Sequence, residues 1–387
     1  MKIPDDKLFF VFDLANNHMG SVDHGRRVIR EVHQAVSDLP FHFAFKFQYR
    51  HLDTFIHPAY RSRMDIQYVK RFSETRLAAE EFRVLKQEVD RLGFISVCTP
   101  FDEASVDLLE EQGFDIIKVA SCSFTDWPLL ERIVRTDKPI IASAAGAPFG
   151  EIDNVVSFFQ HRDRDFVVMH CVGEYPTANE NLQLHQISIL RDRYPQVRIG
   201  YSTHEDPHNL DAVKIALAKG ARIFEKHVGV PTEEFGLNAY SATPDQVAAW
   251  VGAAQQAARM GGVSVDRCPF ASAELSSLRD LRRGVYASRA IEAGQRIAPE
   301  DVLLAMPVVD DQITANEFSK YTEFSALRKI EAQEAVLGCH VRRTETREKV
   351  YAAVQRVKAL LREANVVVPG RADFEISHHH GMERFPE

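Results

Sequence analysis

Along roughly the first 280 residues, short β-branched or aromatic runs take turns with stretches whose apolar residues recur every three or four positions. The runs are 9–14, 42–47, 94–98, 116–120, 139–143, 166–170, 198–201 and 223–227. Most are apolar without interruption, the pattern of strands covered on both faces. Helices are predicted between them. Val28, Ile29, Val32, Ala35 and Val36 make one apolar stripe; Phe82, Leu85, Val89 and Leu92 make another. Asp102 can cap a helix that stops at Gly113, Asp206-Pro207 can open one that ends at Gly220, and Thr243-Pro244 can open the last. Eight βα units in about 260 residues predict an α/β fold, a closed (β/α)8 TIM barrel over residues 1–265. An open doubly wound sheet is the alternative, but no GxGxxG follows a strand, so a dinucleotide site has no support. The Tyr- and Arg-rich connection 48–74 would lie over the active face of a barrel.

After Gly261-Gly262 the pattern changes. Residues 281–306 read as short strands around turns at Glu292-Ala293-Gly294 and Pro299-Glu300-Asp301. The hexapeptide at 288–293 is weakly echoed at 327–332. A small β-rich domain is therefore expected over 280–340. Val350, Val354, Val357 and Leu361 then mark an amphipathic helix, followed by a turn-rich tail, within 341–387.

Composition narrows the partners. The 387 residues carry 47 basic and 55 acidic side chains, a formal net charge of -8. Such a chain has no broad attraction for nucleic acid or an anionic membrane, so positive charge toward an anionic substrate has to be local. No run approaches the roughly 20 apolar residues of a membrane helix. The apolar start at 8–14 is cut by Asp13 and preceded by Asp5 and Asp6, which is not the pattern of a signal peptide. Five cysteines, Cys98, Cys122, Cys171, Cys268 and Cys339, are odd in number, widely spaced and without a CxxC. That argues against a disulfide framework or a cysteine zinc site and points to the cytoplasm.

A barrel carries its reactive groups at the C-terminal ends of its strands. Those ends hold Asp13, Lys46, Thr99, Lys118 with Ser121, Ser143, His170, Ser202 with His204, and His227. Two ammonium groups among hydroxyls suit a small, multiply charged anion. Two histidines on adjacent strands suit a divalent metal with open positions for water and substrate. Singly, each has an ordinary structural reading. A strand-end lysine can be a solvated charge or an ion pair, or a Schiff-base nucleophile if buried. The serines can be turn or cap residues, and His170 can simply pack in the barrel. The run His378-His379-His380 could bind metal, although an exposed terminal segment is the simpler reading.

Several short segments together resemble the sialic acid (N-acetylneuraminate) synthase family, which includes spore coat polysaccharide biosynthesis protein E. They are Asn17-His18-Met19-Gly20, Lys46-Phe47-Gln48, Thr99-Pro100-Phe101-Asp102, Lys118-Val119-Ala120-Ser121, Tyr175-Pro176-Thr177, Gly200-Tyr201-Ser202-Thr203-His204 and Glu225-Lys226-His227. They stand in the family's order and span most of residues 9–250. Residues from Leu281 to about 340 resemble its C-terminal SAF (antifreeze-like) domain. The resemblance implies condensation of phosphoenolpyruvate with an aldose, release of phosphate, and a divalent cation, Mn2+ or Mg2+. It implies catalytic roles for Lys46 and Lys118, substrate contacts from Thr99, Ser121, Ser143, Tyr175, Ser202 and Asn238, and metal binding by His204 and His227. It further implies a cytoplasmic homodimer with exchanged SAF domains, making a nonulosonic-type acid for surface polysaccharide.

The departures from the family pattern cluster. Met19 and Ser123 stand where the family has acidic residues, Gly173 where it has asparagine, Asn238 where it has aspartate, and Met306 where its SAF domain has an arginine. Several of these positions contact the sugar in the family, so the acceptor is expected to be an aldose other than N-acetylmannosamine. Two alternatives use the same barrel: a Schiff-base aldolase or lyase working through a desolvated lysine, and a non-catalytic phosphoenolpyruvate-binding homologue.

Overall fold

The structure, a computed structural model, describes residues 2–262, 269–319 and 321–364. These fall into two compact units that divide at residue 263. In the first, eight parallel strands close in chain order: β1 (Phe9–Asp13), β2 (His42–Tyr49), β3 (Ile95–Pro100), β4 (Ile116–Val119), β5 (Ile140–Ser143), β6 (Phe166–Cys171), β7 (Arg198–Thr203) and β8 (Ile223–His227). Because β8 pairs back onto β1, the predicted (β/α)8 barrel forms and the open sheet does not.

Side chains alternate along each strand. Phe9, Val11, Ala44, Val97, Ile141 and Ile223 pack inside the barrel with their neighbours as an apolar plug. Their sequence neighbours Phe10, Phe12, Phe45, Phe47 and Phe224 face the helices. There Phe10 stacks on Phe224 and meets Trp250 edge-on. Gly200 marks how tight the interior is: a Cβ there would come 2.7 Å from Ile223 O and 3.0 Å from Met169 Cε. Two residues further along most strands, at the C-terminal ends, the same inward face turns polar. Asp13, Lys46, Thr99, Lys118, Ser143, Ser202 and Glu225 are all buried there. The register sets Asp13 between Lys46 and His227, and Ser202 beside Glu225.

Local signals hold the surrounding helices. Ser21 Oγ accepts from His24 N and opens the helix Val22–Val36, whose apolar stripe is buried. Asp102 Oδ1 accepts from Ser105 N at 2.7 Å and opens Glu103–Glu111. Thr243 and Gln246 cap Pro244–Gly261 reciprocally. One expected start moves. The helix placed at Asp206-Pro207 begins at Asp211, because Asp206 Oδ1 accepts from His208 N and forms a turn of its own. The connection 48–74 is not plain loop either; it holds the helices Leu52–Phe55 and Gln67–Glu74.

In the second unit β9 (Gly284–Ala287) pairs antiparallel with β10 (Val302–Ala305), and β11 (Thr322–Ala326) with β12 (Val341–Glu345). The β-rich region thus runs past residue 340, since β12 is the ladder partner of β11. The weak sequence repeat pairs with itself. Ile291 N donates to Ile330 O and Ile330 N to Ile291 O, both at 2.9 Å. Both isoleucines sit in this unit's core with Val285, Phe324 and Val336. A helix Ser272–Asp280, not foreseen in the pattern, precedes these strands, and the foreseen helix Arg347–Glu363 follows them. Cys268 and the run His378-His379-His380 lie outside the described residues. The four described cysteines are free thiols.

Candidate active site

A cavity of about 1600 Å³ opens at the C-terminal ends of the strands. Every residue expected to act in catalysis, substrate contact or metal binding lines it: Lys46, Thr99, Lys118, Ser121, Ser143, Tyr175, Ser202, His204, His227 and Asn238. Asp13 and Glu225 line it too. Asp13 was noted at its strand end but given no role, and Glu225 was quoted only inside a motif. The missed signal was parity: in Glu225-Lys226-His227 the outer two residues share the inward face.

The deepest part is a four-residue charge cluster. Lys46 Nζ lies 3.0 Å from Asp13 Oδ2 and 3.0 Å from Glu225 Oε1. Lys118 Nζ donates to Ser143 Oγ at 2.6 Å and stands 3.7 Å from the same Glu225 oxygen. Ser202 Oγ donates to that oxygen at 3.2 Å, and Gln48 Nε2 donates to Asp13 Oδ2 at 3.0 Å. Burial alone would lower the Lys46 pKa, but Asp13 and Glu225 outweigh it and hold the ammonium up at about 12. For Lys118 burial prevails over Glu225 and the pKa is lowered. Burial opposes ionisation of Asp13 and Glu225 as well, yet the lysines, with His227 beside Asp13, keep both carboxyls below their ordinary value. Burying four charges is not an economical source of stability, since desolvation rivals the attraction. Such clusters in a cavity mark functional sites. Thr99 Oγ1 and Glu225 Oε2 are buried without a hydrogen-bond partner, as groups awaiting a ligand would be.

Two imidazoles stand above the cluster. The His204 and His227 rings lie 5.3 Å apart, centre to centre. His204 Nδ1 bonds to Val172 O at 2.8 Å, so this nitrogen carries the proton and Nε2 keeps its lone pair. Burial, then the neighbouring His227, lowers the His204 pKa to about 3; burial lowers that of His227 despite Asp13 at 3.5 Å. Neutral rings at this separation fit one shared cation, because a metal–nitrogen bond is about 2.1 Å. No group of three or more His, Cys, Asp or Glu suited to a metal occurs among the described residues. Water and substrate would therefore supply the remaining ligands.

The outer wall is softer. The half-exposed Tyr175 ring lies 4.2 Å from His204, and Tyr240 borders both histidines. Asn238 Nδ2 donates to Asn17 Oδ1 at 3.4 Å, while Asn17 Nδ2 is fixed by Val228 O and Ser241 Oγ. His170 lines the cavity and bonds Leu182 O through Nε2 at 2.8 Å, which agrees with its packing role. Met19 and Ser123 do not line the cavity. The turn that carries Met19, with φ at +54° and its N–H bonded to Asn16 O, takes it out of the wall. Gly173 does line it, and a Cβ there would meet only Ala145 Cβ at 3.9 Å.

A closed barrel whose inward strand ends are lysines, carboxylates and hydroxyls has the architecture of the (β/α)8 class, with a cavity suited to a polar, anionic ligand. The chain belongs to the NeuB family, whose profile matches residues 42–266, and is an enzyme of the sugar-acid synthase class. The structure of spore coat polysaccharide biosynthesis protein E from Chromobacterium violaceum is 51% identical, superposes with a TM-score of 0.85, and covers 87% of this chain and 100% of its own. Pseudaminic acid synthase of Campylobacter jejuni is 26% identical over 316 residues, 78% of this chain and 88% of that protein. N-acetylneuraminate-9-phosphate synthase of Drosophila melanogaster is 26% identical over 250 residues, 60% of this chain and 62% of that protein.

Proposed function

We propose that this protein condenses phosphoenolpyruvate with an aldose other than N-acetylmannosamine, giving a nonulosonic-type acid and phosphate for surface polysaccharide. The observation that carries the reading is the convergence of Lys46, Lys118 and Ser202 on one buried Glu225 oxygen, with Ser143 bonded to Lys118 and Thr99 lining the same cavity. A carboxylate and a phosphate on three carbons need fixed cations and short donors to repay their desolvation. In the reaction the double-bond electron pair of phosphoenolpyruvate joins its methylene carbon to the aldehyde carbon, and the aldehyde carbonyl pair moves to its oxygen, which takes a proton. Water adds to the adjacent, phosphate-bearing carbon and loses a proton. The bond from that carbon to the phosphate oxygen then breaks as its hydroxyl gives up a proton, leaving a 2-keto acid and inorganic phosphate. Lys46 and Lys118 hold the anionic ends, and Ser143 orients Lys118 through its 2.6 Å bond. Thr99 Oγ1 offers a free hydroxyl, and Glu225 Oε2 can take a proton. Ser121 and Tyr175 bound the space between the two substrates, and Asn238 with Asn17 bounds the acceptor side. A divalent cation, Mn2+ or Mg2+, held by His204 and His227 would supply a Lewis acid for the aldehyde oxygen.

Much of this site's contribution is positioning of the two substrates face to face. The proposal extends to a cytoplasmic homodimer in which the second unit, SAF-like, covers the partner's mouth and excludes water. Sedimentation of the full chain tests it, and a monomer at micromolar concentration would remove that part. No described helix is long and apolar enough to cross a membrane.

Thermal unfolding with phosphoenolpyruvate tests the donor site. At 100 times its dissociation constant a ligand stabilises by ~2.7 kcal/mol, so a clear upward shift is expected. No shift in folded protein would sink the reading. One observation favours a second reading: burial lowers the Lys118 pKa, as a Schiff-base lysine requires. Borohydride with pyruvate separates the two, since only the aldolase is trapped covalently.

A further inference from the structure

The cavity holds more positive charge than its deep cluster uses. Lys46 and Lys118 are offset by Asp13 and Glu225. Two guanidinium groups also line the wall: Arg50, just after β2, and Arg71 in the helix Gln67–Glu74. Among the described residues neither forms an ion pair. Arg63 of the same connection pairs with Asp65, and Arg76, just beyond it, with Asp53, while Arg61 donates to the backbone carbonyls of Ile56 and Asp53. The carboxylates nearest Arg50 are already engaged. Asp102 takes His51 N and Ser105 N, and Asp13 takes Lys46 and Gln48.

Arg50 is also built into place. Its Cζ lies 4.1 Å from the Phe72 ring centre and 3.6 Å from that of Phe101. Aromatic faces hold a guanidinium without neutralising it. Its Nη2 donates to Gln48 Oε1 at 3.1 Å, while Nε is buried with no partner. Burial lowers its pKa only to about 10, so it stays charged at neutral pH. Gln48 links it to Asp13 and so to Lys46. Two side chains, Gln48 and Asp13, therefore separate Arg50 from Lys46. A rigid guanidinium fork matches phosphate oxygens, and two unpaired cations match a phosphate monoester's charge of about -1.5 to -2.

We propose that Arg50 and Arg71 form a second anion subsite at the acceptor end of the cavity, and that the acceptor is an aldose phosphate. This rests on the synthase reading for the word acceptor, and family membership leaves the point open. The relatives named above include one whose product name carries a phosphate and one whose name does not.

Calorimetry on the full chain saturated with phosphoenolpyruvate tests the subsite, with inorganic phosphate as the probe. Phosphate is expected to bind alongside phosphoenolpyruvate, and Arg50→Gln or Arg71→Gln to weaken it by ~10- to 100-fold, the loss of one charged hydrogen bond or more. Phosphoenolpyruvate affinity should stay within about threefold, the tolerance for an untouched site. Arg50→Lys, which keeps the charge and loses the fork, guards against misfolding and should fall between wild type and Arg50→Gln. Release of phosphate from phosphoenolpyruvate is then compared across a panel of aldoses, each offered free and as its terminal phosphate. Preference for the phosphorylated forms, lost in Arg50→Gln, is the expected result. Three outcomes overturn the inference: phosphate that only competes with phosphoenolpyruvate, Arg50→Gln that weakens both anions equally, or turnover preferring free aldoses. Failure of the wild type to bind phosphoenolpyruvate overturns the synthase reading instead, and phosphate binding lost in Arg50→Gln without phosphoenolpyruvate would still establish the subsite.

Discussion

Lys46 and Lys118 occupy equivalent places on neighbouring parts of one barrel, yet their substitutions should behave differently. Lys46 touches both buried carboxylates, whereas Lys118 touches one carboxylate and a serine. Lys46→Met leaves the buried Asp13 carboxylate without its ammonium and should cost about 3–5 kcal/mol in urea unfolding. Lys118→Met leaves Glu225 still paired with Lys46, so stability should fall less while phosphoenolpyruvate affinity drops by ~10-fold or more, read by calorimetry. Equal destabilisation by the two would contradict this division of roles. Gly173 invites the opposite experiment. Gly173→Asn has room for its Cβ and should keep the melting temperature within a few degrees while adding a donor to the wall. At this scale the residue types at the strand ends were legible, because inward positions repeat every second residue. Glu225 and Arg50 were not. The partner that gives Glu225 its meaning, Lys46, lies 179 positions away along the chain.

Helices legible from their stripes are joined by charges that were not. Glu88, in the helix Ala79–Arg91, is buried and accepts from Arg91 within that helix and from Arg26 and Arg30 of Val22–Val36. The bonds from Arg91 and Arg30 hold its pKa at about 2. A carboxyl lowered on folding stabilises the native state above its unfolded pKa, and that contribution is lost as pH falls through the folded value. The clamp should contribute about 2 kcal/mol at pH 7, after allowance for screening of the exposed arginines, and lose it between about pH 4.5 and 2. Glu88→Gln should lower stability at pH 7 and flatten that acid limb in denaturant titrations; an unchanged limb would remove Glu88 as the cause. Element boundaries read from caps held at Asp102 and Thr243, where a side-chain oxygen accepts from the N–H three residues on. The start at Asp206-Pro207 failed because a local turn bond competed with the helix.

For the molecule as a whole, the barrel's stability and the metal's role should separate. The proposed cation would be held by two side chains, His204 and His227, whose rings lie 5.3 Å apart, while the barrel is held by its apolar interior and outer layer. Dialysis against a chelator is therefore expected to abolish phosphate release and shift the melting temperature by less than about 2 °C, the effect of a fraction of a kcal/mol in a domain this size. Restored turnover on adding Mn2+ or Mg2+ completes the test, and full activity in chelator would exclude the metal. The second unit was legible as β-rich, and its internal repeat was visible, but not that Ile291 and Ile330 bond each other.

By itself the sequence determined which faces would be buried, since a period of two or of about three and a half needs only local order. From that followed eight strands, their helices, and a ring of lysines, hydroxyls and histidines at the strand ends. The tertiary structure decided which charges neutralise one another. Glu225 joins Lys46 and Lys118, and Asp13 takes Lys46 and borders His227, while Arg50 and Arg71 pair with no carboxylate among the described residues. The energy of an ion pair depends on distance through space and on burial, and neither can be read from separation along the chain.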